Sequence, residues 1–395
     1  MSLYDYEIIK SKSNDPYDIE FISFSGAGTN GLCYAGVLKS LREHKISVKY
    51  WIGTSAGAIV AALAALGADE DFLIPCLSNI NIANFLDIGG GRPNNSIFKK
   101  LINYHFSATE LFSRLGIARG IEILKWIKTC IVNLGFSENI TFSELYEKTG
   151  NHLVIVTVDV NSFDAVYLSR STYPNLSIAD AINVSMIIPY LFQPTVLKDS
   201  LTSYPRVLVD GGILNNCPIN VCDPQTPSGR ILGFNRKAIG FFTISNGLWG
   251  PNQTNVKNFM DYSARLLETM FRHQERLQSH QPFFWERCIP IETDGHSPID
   301  FSINQEWIDR LVNSGYETCQ KFLKERAQMI KESGNLPENL FIPLIFHKPI
   351  PEYDNWIKTP NMSNWIPVLT NNNLRDTLIY QTNPEVRMIR NIVGL

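Results

Sequence analysis

Short apolar runs alternate along this chain with longer stretches whose apolar positions recur at helical spacing, from about residue 20 to about residue 330. The short runs, rich in β-branched and aromatic residues, predict strands at 21–25, 48–52, 153–159, 207–210 and 238–244. Helical patterns lie between most of them. One starts near Leu32 and runs through Ala35, Leu38 and Leu41. This alternation predicts a three-layer α/β/α fold, a mostly parallel sheet covered by helices on both faces. The uncharged stretch 50–68 holds several glycines and reads as a buried strand, a turn and a core helix, not as a membrane span. Two later amphipathic stretches, 256–277 and 308–330, carry stripes expected in the core: Phe259, Met260, Leu267, Met270 and Phe271, then Leu311, Val312, Cys319, Phe322 and Leu323. From residue 336 the chain is rich in Pro, Asn and Trp and loses periodicity. The expected organisation is an N-terminal extension at 1–19, one domain at 20–330 and a tail at 331–395 laid over it.

Three strand-to-loop junctions carry candidate chemistry. Gly53-Thr54-Ser55-Ala56-Gly57 follows one expected strand and opens an apolar helix. A serine there sits on a sharp turn with its hydroxyl exposed over a helix N-terminus, although a plain helix start capped by Thr54 or Ser55 has the same residues. Upstream, Ser25-Gly26-Ala27-Gly28-Thr29-Asn30-Gly31 leaves a strand as a glycine-rich turn, whose outward amides suit a phosphate or an oxyanion. Gly26, Gly28 and Gly31 also satisfy the dinucleotide fingerprint. That fingerprint expects an acid at the end of the next strand, and here the next strand runs into the serine turn without one. Downstream, Asp210-Gly211-Gly212 closes another strand, an acid on a turn that admits close backbone approach. Asp-Gly-Gly is also a common turn. Together the junctions deliver oxyanion donors, a nucleophile and an acid, and in open α/β sheets such pieces meet at the carboxyl ends of the strands.

With these motifs the chain resembles the patatin-like phospholipases, serine lipid acyl hydrolases that use a Ser-Asp dyad. Residues 25–31 are similar to that family's oxyanion loop and 53–57 to its nucleophile elbow. Residues 185–194 resemble the segment ahead of the acid, and 210–218 the Asp-Gly-Gly block with its trailing Asn and Pro. Residues 115–134, 141–145 and 153–159 also look family-like, and the resemblance extends over about 20–325. It implies a phospholipase A-type hydrolase with Ser55 as nucleophile and Asp210 as general base. Gly26, Ala27 and Gly28 become the oxyanion donors, and Gly31, Gly53, Gly57, Gly211 and Gly212 shape the turns. Ala27 stands where the family has a glycine and Asn30 where it has Arg or Lys. Ala27 still offers an amide, whereas Asn30 removes a positive charge that could orient a phosphate. Those departures motivate one alternative, a catalytically weak lipid-binding or regulatory protein on the same fold. A Ser-His-Asp esterase is the other, with His273, His280, His296 and His347 available after the acid.

Composition narrows the partners. The formal net charge of −3 argues against nucleic acid, and 44% apolar with 18% charged residues describes a folded protein with a sizeable core. The seven cysteines form no CxxC pair and no zinc pattern, which predicts free thiols in a reducing compartment, with Cys33 and Cys130 in the core. No metal and no cofactor is expected. The first 18 residues are polar and charged, unlike a signal peptide. A cytoplasmic protein with peripheral membrane contact is expected, its substrate a membrane lipid or phospholipid met from the water side. Some members of the family act only once a partner binds, so a protein activator is also a candidate partner. Lipid access is expected to be decided at 84–140. Apolar positions Ile97, Leu101, Ile102, Ile117, Ile121, Leu124 and Ile127 there alternate with Lys99, Lys100, Lys125 and Lys128. Such a helix can lie in a membrane interface or be an ordinary amphipathic helix with its stripe in the core.

Overall fold

The computed structural model describes residues 17–78, 115–198, 204–223, 237–244, 259–281, 287–296 and 303–333, together with Asn235, Val256, Phe284, Trp285 and Pro298. Most of the expected extension, of the lipid-access segment 84–140 and of the tail lies outside these residues.

Ten strands are described: β1 (Phe21–Phe24), β2 (Tyr50–Thr54), β3 (Gly116–Ala118), β4 (His152–Asp159), β5 (Asp164–Ser169), β6 (Tyr190–Phe192), β7 (Thr195–Leu197), β8 (Arg206–Asp210), β9 (Ala238–Ile244) and β10 (Cys288–Glu292). The helices are α1 (Cys33–Glu43), α2 (Ala56–Ala65), α3 (Glu70–Ser78), α4 (Ile121–Asn133), α5 (Phe142–Thr149), α6 (Ile178–Ser185), α7 (Gly212–Asn215), α8 (Phe259–Ser279) and α9 (Gln305–Ser333). The main sheet runs β10-β9-β1-β2-β4-β8-β7, with β5 also on β4. Its strands from β10 to β4 are parallel neighbours, while β5 and β8 run antiparallel to β4 and β7 antiparallel to β8. A separate two-stranded sheet pairs β3 with β6.

The two faces of the sheet separate along each strand with a period of two. Ile22, Phe24, Trp51, Ile155, Ile239, Phe241 and Ile289 join one large core with buried residues of α1, α2, α4, α6 and α9. Their neighbours Phe21, Ile52, Val154, Ala238, Phe242 and Cys288 join a second core, with Cys217, Ile219, Val221, Cys222 and Phe284. Apolar residues thus cover the sheet on both sides, as the near-continuous apolar strands require.

The α9 stripe is buried as expected at Leu311, Cys319, Phe322 and Leu323. On α8, Leu267 is buried but Met270 is exposed, because the inward face of that helix carries polar contacts described below. Ile117 belongs to β3 and not to a helix. Gly120, with φ +73°, turns the chain into α4, whose Ile123, Ile127, Cys130 and Ile131 are buried. The apolar side of α4 is therefore spent on the core. Thr141 and Glu144 form a reciprocal cap at the start of α5. Among the described residues no helix is long and apolar enough to cross a membrane.

β10 was not legible because Pro290 sits in its middle. Arg287 C=O accepts from Gly240 N, and Thr293 N donates to Ile244 C=O, so odd-numbered positions here face β9. Pro290 therefore faces outward, where its missing N–H costs the ladder nothing.

Candidate active site

The register of β4 brings the nucleophile and acid candidates together. β2 ends with Thr54 opposite Val156, and β8, running the other way on the same flank of β4, ends with Asp210 opposite Thr157. Two strands thus meet end to end on adjacent rungs, and the residues leaving them are Ser55 and the Asp-Gly-Gly turn. Ser55 has φ 52° and ψ −123°, outside the conformations that a side chain ordinarily permits. Its strain is held by surrounding bonds. Ser55 N donates to Ser185 Oγ at 2.8 Å, and Ser185 Oγ donates to Val156 C=O at 2.6 Å. Thr54 Oγ1 donates to Asn215 C=O at 2.9 Å. A Cβ on Gly53 would strike the backbone at Gly57, and one on Gly57 would strike the carbonyls of Phe24 and Ser25. Gly57→Ala is accordingly expected to destabilise the fold by about 3 kcal/mol or more, read as a lowered thermal midpoint or lost soluble protein. An unchanged midpoint would show that the turn relaxes more easily than this packing allows. At Gly31 a Cβ would meet the Ala56 methyl at 3.4 Å and the Tyr34 ring at 4.0 Å, ordinary contacts, so space there does not demand glycine.

Asp210 is 2% exposed. Its Oδ1 accepts from Gly212 N at 2.7 Å, and its carboxylate lies beside the Ser55 side chain. Burial pushes its pKa up to about 6, against the opposing pull of Ser55 and the Gly212 N–H. Its own N–H donates to Ile187 C=O at 2.7 Å, and Thr157 Oγ1 donates to Val209 C=O at 2.6 Å, so the end of β8 is fixed from both sides. Gly211 and Gly212 leave no room for a side chain, against Val156 C=O and Asn216 Oδ1 respectively.

The glycine turn lies across from this pair. Ser25 N donates to Phe241 C=O at 3.0 Å, and Ser25 Oγ and Tyr34 Oη lie 2.9 Å apart. One expectation needs correction. Gly26 N–H donates to Asn216 C=O at 3.1 Å, so it is engaged within the protein and does not point at a substrate. Ala27 and Gly28 make no such backbone donation among the described residues, and Gly28 takes φ +56°. Asn30 is 2% exposed and ties the turn to the loop after β10. Its Nδ2 donates to His296 C=O at 3.2 Å, and its Oδ1 lies 2.8 Å from His296 Nδ1. Asn30 is thus a strut, buried away from any head group.

Of the histidines considered for a triad, His273 and His280 are exposed, His296 is engaged with Asn30, and His347 lies outside the described residues. Among the described residues no cluster of His, Cys, Asp and Glu is placed to hold a metal ion.

Sequence reasoning placed Phe271 on the inward face of α8 but passed over Glu275 and Gln278, which share that side of the helix at i+4 and i+7 from it. A Cβ on Gly212 would come within 3.0 Å of the Phe271 ring, and Asn216 Nδ2 donates to Glu275 Oε1 at 2.6 Å. Gln278 Nε2 donates to Asn215 Oδ1 at 2.5 Å, and Cys217 N donates to Gln278 Oε1 at 3.1 Å. The Glu275 carboxyl is turned inward, and burial pushes its pKa up to about 7 against the opposing pull of Asn216 and Arg272. Only the trailing Asn215-Asn216 of the acid block, which need buried partners, hinted at this contact.

A family model described as patatin-like phospholipase matches residues 22–223. The uncharacterized protein YqhO of Bacillus subtilis is 26% identical over 312 residues, covering 76% of this chain and 97% of YqhO. Triacylglycerol lipase ptl3 of Schizosaccharomyces pombe is 29% identical over 208 residues, covering 49% of this chain and 40% of the lipase. Among solved structures, VipD from Legionella pneumophila aligns with a TM-score of 0.48 at 18% identity, over 78% of this chain and 67% of VipD.

Proposed function

The chain belongs to the patatin-like phospholipase family, and from that premise we propose that it hydrolyses fatty-acyl esters of phospholipids through a Ser55–Asp210 dyad. The observation that carries this reading is the meeting of β2 and β8 on adjacent rungs of β4, which sets the Ser55 side chain beside the Asp210 carboxylate. In the acylation step Ser55 Oγ attacks the ester carbonyl while Asp210 takes its proton. The amides of Ala27 and Gly28 hold the tetrahedral oxyanion. Collapse breaks the ester C–O bond, and Asp210 returns the proton to the leaving alcohol. Water then attacks the acyl-enzyme, giving its proton to Asp210, and as the bond from the acyl carbon to Ser55 Oγ breaks Asp210 returns that proton to Oγ, releasing the fatty acid. A base near about 6 suits this work better than an ordinary aspartate near ~3.9. The substrate is met from the water side by a protein with peripheral membrane contact, and a protein activator fits the same reading.

A neutral-lipid substrate is the second reading, favoured by the similarity to a triacylglycerol lipase. Both are tested by fatty-acid release from phosphatidylcholine vesicles and from emulsified triacylglycerol, alongside labelling by a fluorophosphonate probe. Release from vesicles together with Ser55 labelling is expected. Silence on both substrates without labelling would overturn the hydrolase in favour of a lipid-binding protein. His273→Ala and His280→Ala, both at exposed positions, are expected to leave the rate within about twofold. Loss of activity in either, with activity kept in Asp210→Asn, would replace the dyad by a triad.

A further inference from the structure

Asn216 grips Gly26 at two points. Its C=O accepts the Gly26 N–H at 3.1 Å, and its Nδ2 donates to Gly26 C=O at 3.2 Å. Its Oδ1 lies against the α-carbons of both Gly26 and Gly212, close enough to bar a Cβ at either. Asn216 therefore fixes the distance between the glycine turn and the acid block. What fixes Asn216 comes from α8, where Glu275 Oε1 takes the second proton of the same amide at 2.6 Å. An asparagine amide has two N–H donors, and here they go to Gly26 and to Glu275. The carboxylate thus decides which way the side-chain amide faces. Without an acceptor at that place the buried N–H is unsatisfied, and the amide gains by turning over or moving away. Either motion breaks the bond to Gly26 C=O, and turning over also puts the amide nitrogen where Oδ1 now packs on Gly212.

We propose that Glu275 is a positioning residue for the oxyanion loop, acting through Asn216 to hold Gly26, and with it the Ala27 and Gly28 amides, at a fixed distance from Ser55. The proposal rests on the hydrolase reading for its kinetic consequence but not for the clamp itself. Acceptance of a hydrogen bond is what the clamp uses. Glutamine keeps an acceptor of the same reach, and leucine keeps the bulk without it.

Glu275→Leu is expected to lower kcat by about 10²-fold with KM unchanged, because the loop amides lose their aim at the oxyanion and not their contact with the lipid. Glu275→Gln is expected to recover most of the loss. Rates are taken per phosphonate-titrated Ser55, so a loss of folded protein lowers the titre and leaves kcat alone. A long-chain trifluoromethyl ketone, which forms an oxyanion on the serine, is expected to bind Glu275→Leu about 10²-fold more weakly, while a non-hydrolysable ether lipid binds it equally well. Equal losses for ketone and ether, or equal kcat in all three proteins, would overturn the proposal. Hydrogen exchange tests the clamp without reference to catalysis. The Gly26 amide, protected by Asn216 C=O, is expected to exchange faster in Glu275→Leu and at the wild-type rate in Glu275→Gln. Unchanged exchange in Glu275→Leu would overturn the clamp, whereas a wild type that releases no fatty acid and takes no phosphonate would overturn only the hydrolase reading.

Discussion

Ser55→Ala is expected to lower fatty-acid release by about 10⁵-fold, with the folded state intact. Among the described residues, the hydroxyls flanking Ser55, Thr54 and Ser185, are both engaged elsewhere. Thr54 Oγ1 is buried and donates to Asn215 C=O, and Ser185 Oγ donates to Val156 C=O while accepting from Ser55 N. The strained backbone at residue 55 is set by the strand end, by Ser185 and by the close contacts of Gly53 and Gly57, none of which involves Oγ. Alanine is no worse off than serine at φ 52°, so the thermal midpoint should stay near the wild-type value. The measurement is release from vesicles together with fluorophosphonate labelling. Release that persists while labelling is lost would mean that another group supplies the nucleophile.

Asp210→Asn is expected to abolish turnover to a similar extent and, at the same time, to stabilise the protein. The asparagine oxygen can keep the bond from Gly212 N, but the amide cannot take the serine proton. For the wild type, the ionised carboxylate is the working base, so the rate should rise with pH through about 6 and level off above it. Stability runs the other way. The folded-state pKa, about 6, lies above the ordinary value of 3.8, so the folded protein binds the proton more tightly than the unfolded chain. This contribution to stability is complete below the ordinary value and is lost as pH rises to about 6. At neutral pH the buried charge then costs about 3 kcal/mol, which the uncharged asparagine avoids. Thermal unfolding of the two proteins at pH 7.5 and at pH 4 checks this, because the advantage of the variant should shrink at the lower pH. An advantage equal at both would show that burial of the charge is not its source.

Much of the fold was written in local pattern. The strand runs at 21–25, 153–159, 207–210 and 238–244 found their places within a residue or so, since apolar runs bounded by turn residues leave few alternatives. The run at 48–52 became Tyr50–Thr54, because the strand continues to the elbow. Direction was not legible. Nothing local tells β8 to run against β4, yet that reversal brings Asp210 to the end of β2. The pieces of the candidate site were legible as turn chemistry, each within a few residues. Their bonding was not. That Asn216 occupies the Gly26 amide, and that Asn30 is buried against His296, depends on segments far apart in the chain. The polar contacts of the α8 face were missed for a related reason. Glu275 and Gln278 look like ordinary solvated positions until the acid block is packed against them.

The outward side of β10 has a consequence for association. A new strand adds to a sheet by meeting free N–H groups along its edge. Of the three outward positions, Cys288 has given its N–H to Phe284 C=O at 2.7 Å and Pro290 has none to give. Glu292 adds a carboxylate at the end of the row. A sheet of parallel apolar strands is a hazard for aggregation where it stops, and among the described residues this one stops at β10, an edge with almost nothing for a second chain to copy. The proline that hid the strand from sequence reasoning is the residue that keeps the sheet from growing.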